Sequence, residues 1–202
     1  MGKKLINDKA NGLHVSIDNL PELYASLKDL AANEVLVGVP EENTNRENPL
    51  EAKAGITNAS LAYIHDNGAP EARIPARPFM LPGMTAVLPK ATETLGKAAQ
   101  YALRAGRVPA ENRAKVNEGL ERVGLMAVSS IRAVIGEGIP PPLSEMTLRK
   151  RAAKGRKGAA YELERRAKGL APQMLLALPL IDTGEMRKSI TYVVRPRSAR
   201  KK

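Results

Sequence analysis

The sequence contains no cysteine and no tryptophan, and its 202 residues include only one phenylalanine and two histidines. The absence of cysteine excludes disulfides, thiolate metal sites and a thiol nucleophile. Aromatic side chains make up only 3% of the chain. A protein that reads single-stranded nucleic acid by stacking bases on aromatic rings is therefore disfavoured, and the core must be built mainly from aliphatic side chains.

Long apolar runs are also missing. No stretch approaches the roughly 18 consecutive apolar residues of a membrane-spanning helix, and the first residues lack the apolar segment of a signal peptide. We therefore expect a soluble protein that is intracellular when it is made and has no membrane partner. The length suits one domain, or one domain with an appendage.

Positive charge is concentrated at one end of the chain. The net charge is +11 overall, but residues 1–146 hold 16 Lys+Arg and 17 Asp+Glu, whereas residues 147–202 hold 16 Lys+Arg and only 4 Asp+Glu. Such asymmetry indicates contact with nucleic acid or with an acidic protein surface, because a block of like charges repels itself without a counter-charge. The alternative interpretation is a solvated face that keeps the protein soluble.

Hydrophobic periodicity predicts an α+β fold with a small, mostly antiparallel sheet packed against two long helices. We assign residues 1–146 and 179–196 to a single body, 147–178 to a basic helical insertion or arm, and 197–202 to a disordered basic tail. The expected elements are strands at 13–17 and 34–40, helices at 19–33, 59–65, 85–105 and 109–135, and a closing strand from Ser189 onward. The 34–40 strand is expected to be buried on both faces, and 41–57 to form a polar loop.

A proline-rich segment follows the 59–65 helix. Four prolines between residues 70 and 82 disfavour a regular helix and fix the backbone in extended geometry. We expect a rigid arm that serves either as a connector or as a preformed contact surface for another subunit or partner. The candidate contact residues are Ile74, Pro75, Arg77, Pro78 and Phe79.

Residues 147–168 contain nine basic and two acidic side chains. Without a phosphate-binding loop or a recognition helix, these side chains can bind DNA phosphates only as point charges, without sequence preference. The same charges could bind an acidic protein surface. The candidate contact residues are Arg149, Lys150, Arg151, Lys154, Arg156, Lys157, Arg165 and Arg166.

Catalytic motifs are not found in the sequence. It lacks the glycine-rich phosphate and dinucleotide loops and the paired histidines of zinc proteases, and we expect no enzyme activity, no cofactor and no metal. His65 and Asp66 could be read as a hydrolytic pair, but no third partner is evident. Asp182 and Glu185 could be read as an acid pair, but helix capping and the helix dipole explain both.

Four segments in order resemble a known family. They are Ala62-Tyr63-Ile64-His65-Asp66-Asn67-Gly68, Ile74-Pro75-Ala76-Arg77-Pro78-Phe79-Met80, Pro141-Pro142-Leu143-Ser144-Glu145-Met146-Thr147, and the closing stretch from Leu180 to Tyr192. This order resembles the neck and tail-completion proteins of tailed bacteriophages, which are virion morphogenesis proteins. The chain departs from the family in the segment Arg149–Leu178, which is longer than the usual link.

The resemblance implies an α+β protomer assembled into a homo-oligomeric ring at the head–tail junction, with six-fold symmetry favoured over twelve-fold. It implies connector or head-completion proteins and tail-terminator or tail-tube proteins as partners, a location in the virion, assembly in the host cytoplasm, and no catalysis. Non-specific contact with double-stranded DNA fits the central channel of such a ring. The alternative function is a sequence-independent nucleic-acid-binding protein that uses the basic C-terminal quarter.

Overall fold

The computed structural model describes residues 6–8, 13–15, 21, 24, 25, 28, 31–40, 56–103 and 109–197. The protein is α+β and mostly helical, as the sequence predicts. No helix among these residues is long and apolar enough to cross a membrane. The predicted loop at 41–57 falls largely outside the described residues, as does most of the predicted tail at 197–202.

Four short strands and six helices have described bounds. The strands are β1 (Ile6–Asp8), β2 (Leu13–Val15), β3 (Asn33–Gly38) and β4 (Thr191–Pro196). The helices are α1 (Asn58–Asn67), α2 (Met80–Ala102), α3 (Pro109–Glu137), α4 (Glu145–Ala153), α5 (Lys157–Ala167) and α6 (Glu185–Ser189). Single 3-10 turns occupy Pro70–Ala72 and Met174–Leu176. The described positions between 21 and 32 are helical.

The predicted closing strand is confirmed. β4 pairs with β3, and the residue numbers rise along one strand as they fall along the other. The backbone N–H of Arg197 donates to Ala32 O at 2.7 Å, and Arg195 Nε lies 3.1 Å from Glu34 Oε1. The pair is therefore antiparallel. β1 and β2 form a second antiparallel pair with Ile6 opposite Val15.

β3 is less buried than its apolar sequence predicts. All but one of its residues are half-buried, and Leu36 is 37% exposed. The prediction of burial on both faces was therefore wrong. A fully buried strand needs cover on each face, and a two-stranded sheet leaves this one partly open.

The internal contacts divide the chain into two units. The first comprises Met1–Leu36, Lys90–Val123 and Val193–Lys202, and the second comprises Val37–Pro89 and Gly124–Tyr192. In the first unit, Val116 and Leu120 are buried and pack with Val35, Leu95 and Val194. The domain boundaries proposed from the sequence remain a prediction.

Among the described residues, the second unit holds a core cluster around α3. Phe79, Ile131, Ile135 and Ile190 are completely buried in one cluster. Gly83 allows the first turns of α2 to lie against α3, because a Cβ there would be 2.6 Å from Ile131 Cα. Side chains of the proline-rich arm, α3 and the closing stretch therefore pack in one buried cluster of this unit.

Two helix starts differ from the sequence prediction. The side chain of Thr57, rather than that of Asn58, accepts the backbone N–H of Ser60 and caps α1. α2 begins at Met80, not at Thr85. Pro82 is tolerated there because the N–H groups of a first turn have no intrahelical partner. Asp66 Oδ1 supplies a cap from a distant point in the sequence by accepting the N–H groups of Phe79 and Met80, at 2.7 and 3.0 Å.

The basic segment is a folded helical pair with its own core. Ser144, a residue type that favours the start of a helix, caps α4 by accepting the N–H of Thr147 at 3.3 Å. Leu143, Leu148 and Ala159 are buried together, and partly buried side chains of the same segment pack around them. We expected an insertion or arm more than a core element; the segment has a small cluster of its own, and its status as an insertion stays a prediction. Nonpolar side chains at helical spacing allow α4 and α5 to bury their own faces.

Candidate functional site: a cationic cleft

An open cleft of about 890 Å³ lies within the second unit. Residues far apart in the sequence line it, in four groups that correspond to the four segments of the sequence resemblance. The lining includes Asn67 and Gly68 from the end of α1, Ile74 to Arg77 from the arm, Pro141 to Ser144 before α4, and Asp182 to Met186 from the closing stretch. Lys150, Arg151 and Lys154 on and just after α4 complete one side.

The arm is held against the end of α1 by backbone contacts. Gly68 has a φ of +80°, and a Cβ at this position would lie 2.7 Å from Ala76 N. The N–H of Arg77 donates to His65 O at 2.7 Å. Position 68 favours glycine for two reasons: its φ is positive, and the backbone of the arm lies too close for a Cβ. This wall of the cleft is therefore fixed by the fold.

Arg77 is the buried cation of the cleft. It is 5% exposed, and its Nη2 donates to Pro141 O at 2.8 Å. Its Nε–H is buried without a hydrogen-bond partner, and among the described residues no carboxylate pairs with it. Burial, and then the positive charge of Arg151, lower the pKa of Arg77 from its ordinary value. The guanidinium stays charged, so the site contains a positive charge that nothing in the described chain neutralises.

Three cationic side chains lie close to the carboxylate of Asp182, which also lines the cleft. Arg156 Nε, Lys154 Nζ and Arg151 Nε lie 3.0, 3.6 and 4.0 Å from its carboxylate oxygens. Burial alone would raise the pKa of Asp182, but the hydrogen bond from Arg156 and the surrounding charges hold it below its ordinary value. We had interpreted this aspartate as a helix cap, and that was wrong: α6 has no side-chain cap from it. Thr183 Oγ1 is 3.4 Å from Glu185 N.

Glu162 forms a second charged cluster in the helical pair. Its side chain is only 1% exposed, with Arg166 Nε at 2.8 Å from Oε1 and Arg165 Nε at 3.6 Å from Oε2. The N–H of Gln173 also donates to Oε1, at 2.8 Å. Burial by itself would raise the pKa of Glu162, but these hydrogen bonds and the charges of the two arginines bring it below the ordinary value.

The eight basic residues predicted to contact DNA or an acidic surface do not share one environment. Arg151 donates to the carbonyls of Leu178 and Ile181, each at 2.8 Å, and Arg166 donates to Leu143 O at 2.8 Å. These two arginines, and Arg165 beside Glu162, hold the fold together and are poorly placed for an external ligand. Those on the surface are Arg149, Lys150, Lys154, Arg156 and Lys157.

The five predicted contact residues of the arm are also divided. Phe79 is fully buried in the core and Arg77 is buried beside Pro141. Both anchor the arm and are not part of its outer surface. Pro75 and Pro78 are exposed, and Ile74 is half-buried. Fewer of the predicted contact residues are therefore accessible on the arm than the sequence indicated.

Two of the three carboxylates considered for catalysis, Asp66 and Asp182, have structural partners, whereas Glu185 Oε2 is buried without a hydrogen-bond partner. Asp66 accepts two backbone N–H groups at the start of α2, and Asp182 is surrounded by cations. Within the described residues no cluster of three or more histidine and carboxylate side chains could hold a metal ion.

Sequence reasoning found the four segments but missed the cleft. It listed Arg77 as an arm residue and Lys150 as an insertion residue, and nothing in the local pattern brings them together. The sequence offered one signal for Arg77, its position between two prolines in Pro75-Ala76-Arg77-Pro78. Pro78 restricts the backbone of Arg77 to extended geometry, but the position of its side chain in the cleft depends on distant residues. Comparisons with known protein families, curated proteins and solved structures found no match.

Proposed function

We propose that this chain is a structural virion protein that forms a homo-oligomeric ring at the head–tail junction of a tailed bacteriophage. In this role it joins the head connector to the tail as a neck or tail-completion protein and surrounds the DNA channel. The proposal includes no catalytic step. In this proposal, the protein fixes the positions of neighbouring subunits and partner proteins relative to one another.

One observation carries the proposal. The four segments that resemble the neck and tail-completion family extend over residues 62–192, and each of them contributes to the lining of the single cleft described above. Local resemblances that arise by chance have no reason to meet at one site. A shared cleft is the arrangement expected if the four segments serve one common contact.

The rigidity of the arm gives further support. Its backbone is tied to α1 through the Arg77 N–H, and its buried end is anchored by Phe79. Pro75 and Pro78 remain exposed on this fixed backbone. A surface that is already ordered loses little conformational entropy when a partner binds, which suits a permanent assembly contact.

The experiment measures assembly and location together. Purified protein is examined by light scattering behind a sizing column and by negative-stain electron microscopy, and particles made by the encoding phage are analysed by mass spectrometry. We expect closed rings, either alone or on a connector partner, and we expect the chain in the particles. A protein that stays monomeric in every mixture and is absent from the virion would exclude the ring.

A second candidate is sequence-independent nucleic-acid binding. The observation that favours it is the exposed group Arg149, Lys150 and Lys157 on α4 and α5. If these side chains bind phosphates, affinity for duplex DNA falls steeply with salt, and glutamine at all three positions lowers it. Unchanged affinity in the triple variant would remove this candidate.

A further inference from the structure

We propose that the cleft is a docking site for an acidic peptide segment of a partner protein, with a carboxylate of that segment paired to Arg77. This concerns the chemistry of the cleft alone, and it holds whether or not the chain assembles as a ring. The argument starts from the imbalance of charge and hydrogen bonds in the cleft.

Arg77 provides the first step. A buried guanidinium is costly unless it is paired and hydrogen-bonded. Arg77 has one carbonyl partner and no carboxylate among the described residues, and its Nε–H lacks an acceptor. A carboxylate in the cleft would supply both the missing charge and the missing acceptor. Arginine is suited to this contact because its fork of N–H donors matches the geometry of a carboxylate.

The rim of the cleft provides the second step. Arg73 and Lys150 line it and are exposed, and neither forms an ion pair with a described residue. Arg151 and Lys154 also line it, but they already face Asp182. Three cations of the cleft therefore lack a carboxylate partner, one buried and two at the surface. They outnumber Glu185, the one lining carboxylate that forms no ion pair with a described residue. This arrangement attracts negative charge toward the buried cation.

The walls decide between a peptide and a nucleic acid. Leu61, Ile74 and Leu180 contribute apolar surface, which suits side chains next to a carboxylate better than a row of phosphates. Glu185 also lines the cleft, and its Oε2 is a buried acceptor without a hydrogen-bond partner. A peptide can donate a backbone N–H to that oxygen, whereas a phosphodiester backbone has no donor. A site with one free donor, one free acceptor and apolar walls fits an extended acidic peptide.

The test begins with a displayed library of random peptides, selected on the full-length protein. A double variant, R73E with K150E, changes the two exposed cleft cations that form no ion pair with a described residue and leaves the buried core intact. The matched control is R149E with K157E, which makes the same change of charge on exposed residues outside the cleft. Circular dichroism and thermal melts verify that both variants fold.

We expect the wild-type protein to enrich peptides with Asp or Glu next to an apolar side chain. A labelled enriched peptide should bind the double cleft variant at least about tenfold more weakly and the control variant nearly as well as the wild type. Replacing its acidic residues with amides should also remove binding. In a further arm, R77M should weaken the same peptide while the melting temperature stays close to that of the wild type.

Three results would overturn the proposal. The first is that the wild type retains no peptide above the double cleft variant. The second is that the enriched peptides lack acidic residues or lose affinity equally in the cleft and control variants. The third is that a short DNA duplex binds in a way that depends on Arg73 and Lys150 and excludes the peptide, which would assign the cleft to nucleic acid.

Discussion

Glu162 and Arg77 are both buried charged side chains in the second unit, and their surroundings differ. Glu162 has two arginines beside its carboxylate and a backbone N–H on one oxygen. Arg77 has a single carbonyl and an Nε–H without an acceptor. The charge of Glu162 is neutralised by Arg166 and Arg165, which lie four and three residues later in the same helix. The charge of Arg77 is neutralised by nothing in the described chain.

This difference separates a structural cluster from a candidate site. Glu162 Oε2 and Arg165 Nε are, like Arg77 Nε, buried without a hydrogen bond, so the two residues differ in counter-charge. A buried charge that is neutralised by its own helix stabilises the fold around it and offers little to a ligand. A buried charge that lacks a counter-charge leaves free energy to be gained when one arrives. The basic residues of 147–202 therefore have different roles. Arg165 and Arg166 maintain the helical pair, Lys150 and Lys154 are exposed at the cleft, and other exposed basic residues lie outside its lining.

The largest expected effect comes from removing Glu162. Glu162→Ala leaves the partly buried Arg165 and Arg166 without their carboxylate. Breaking a fully buried pair costs about 3–5 kcal/mol, which sets the upper range here. We expect loss of cooperative folding around α4 and α5, measured by urea unfolding. Glu164→Ala is the control, because its exposed carboxylate pairs only with Lys168. Equal effects of the two changes would show that Glu162 is not the organising charge.

Acid should reproduce part of this loss without a mutation. The pKa of Glu162 is lower in the folded protein than its ordinary value of 4.5. Its stabilising contribution is therefore fully present above that value and is lost as the pH falls through the folded pKa. The difference in unfolding free energy between wild type and Glu162→Gln should shrink as the pH is lowered below 4.5. A difference that is constant between neutral pH and acid would contradict the assignment.

A smaller effect is expected at Arg77. Arg77→Met removes one hydrogen bond to Pro141 O but also removes a desolvated charge, and these contributions oppose each other. We expect the free energy of unfolding to change by no more than about 2 kcal/mol, measured by urea unfolding of the protein without a partner. A loss as large as that of Glu162→Ala would mean that Arg77 is satisfied in the native state, and the contrast between the two residues would fail.

The smallest effect is expected at Arg156, which is half-exposed beside Asp182. Solvent screens this pair, and two other cations remain close to the carboxylate, so Arg156→Gln should cost less than about 1 kcal/mol. The cost should decrease further at high salt. Thermal melts at low and high ionic strength measure this, and a large, salt-independent loss would show that the cluster behaves as a buried one.

Local patterns predicted some features correctly. The α+β class, the helix after Ser144 and the alternation from Ile190 to Val194 follow from capping and from the period of two, which depend only on neighbouring residues. The start of α2 at Met80 could not be predicted in this way, because its cap is Asp66, in α1. The role of Asp182 was missed for the same reason: its cations come from 151–156.

The candidate site depended even more on distant contacts. Burial and the presence of a counter-charge together decide the role of an arginine, and the sequence states neither. Arg77, Arg151 and Arg166 all occur in segments that read as exposed and basic or proline-rich, yet each donates to a backbone carbonyl inside the second unit. The exposed residues Lys150 and Lys157 have the same local character as those arginines.

Site-specific photo-crosslinking in assembling particles tests the central claim most directly. A photoreactive side chain replaces Lys150 at the cleft, and in a parallel protein it replaces the exposed Lys157 outside it. We predict that the cleft position crosslinks to an acidic segment of a partner protein, identified by mass spectrometry, and that the control position does not give this product. Particles in which the cleft position yields no crosslink, or the same products as the control, would contradict the account.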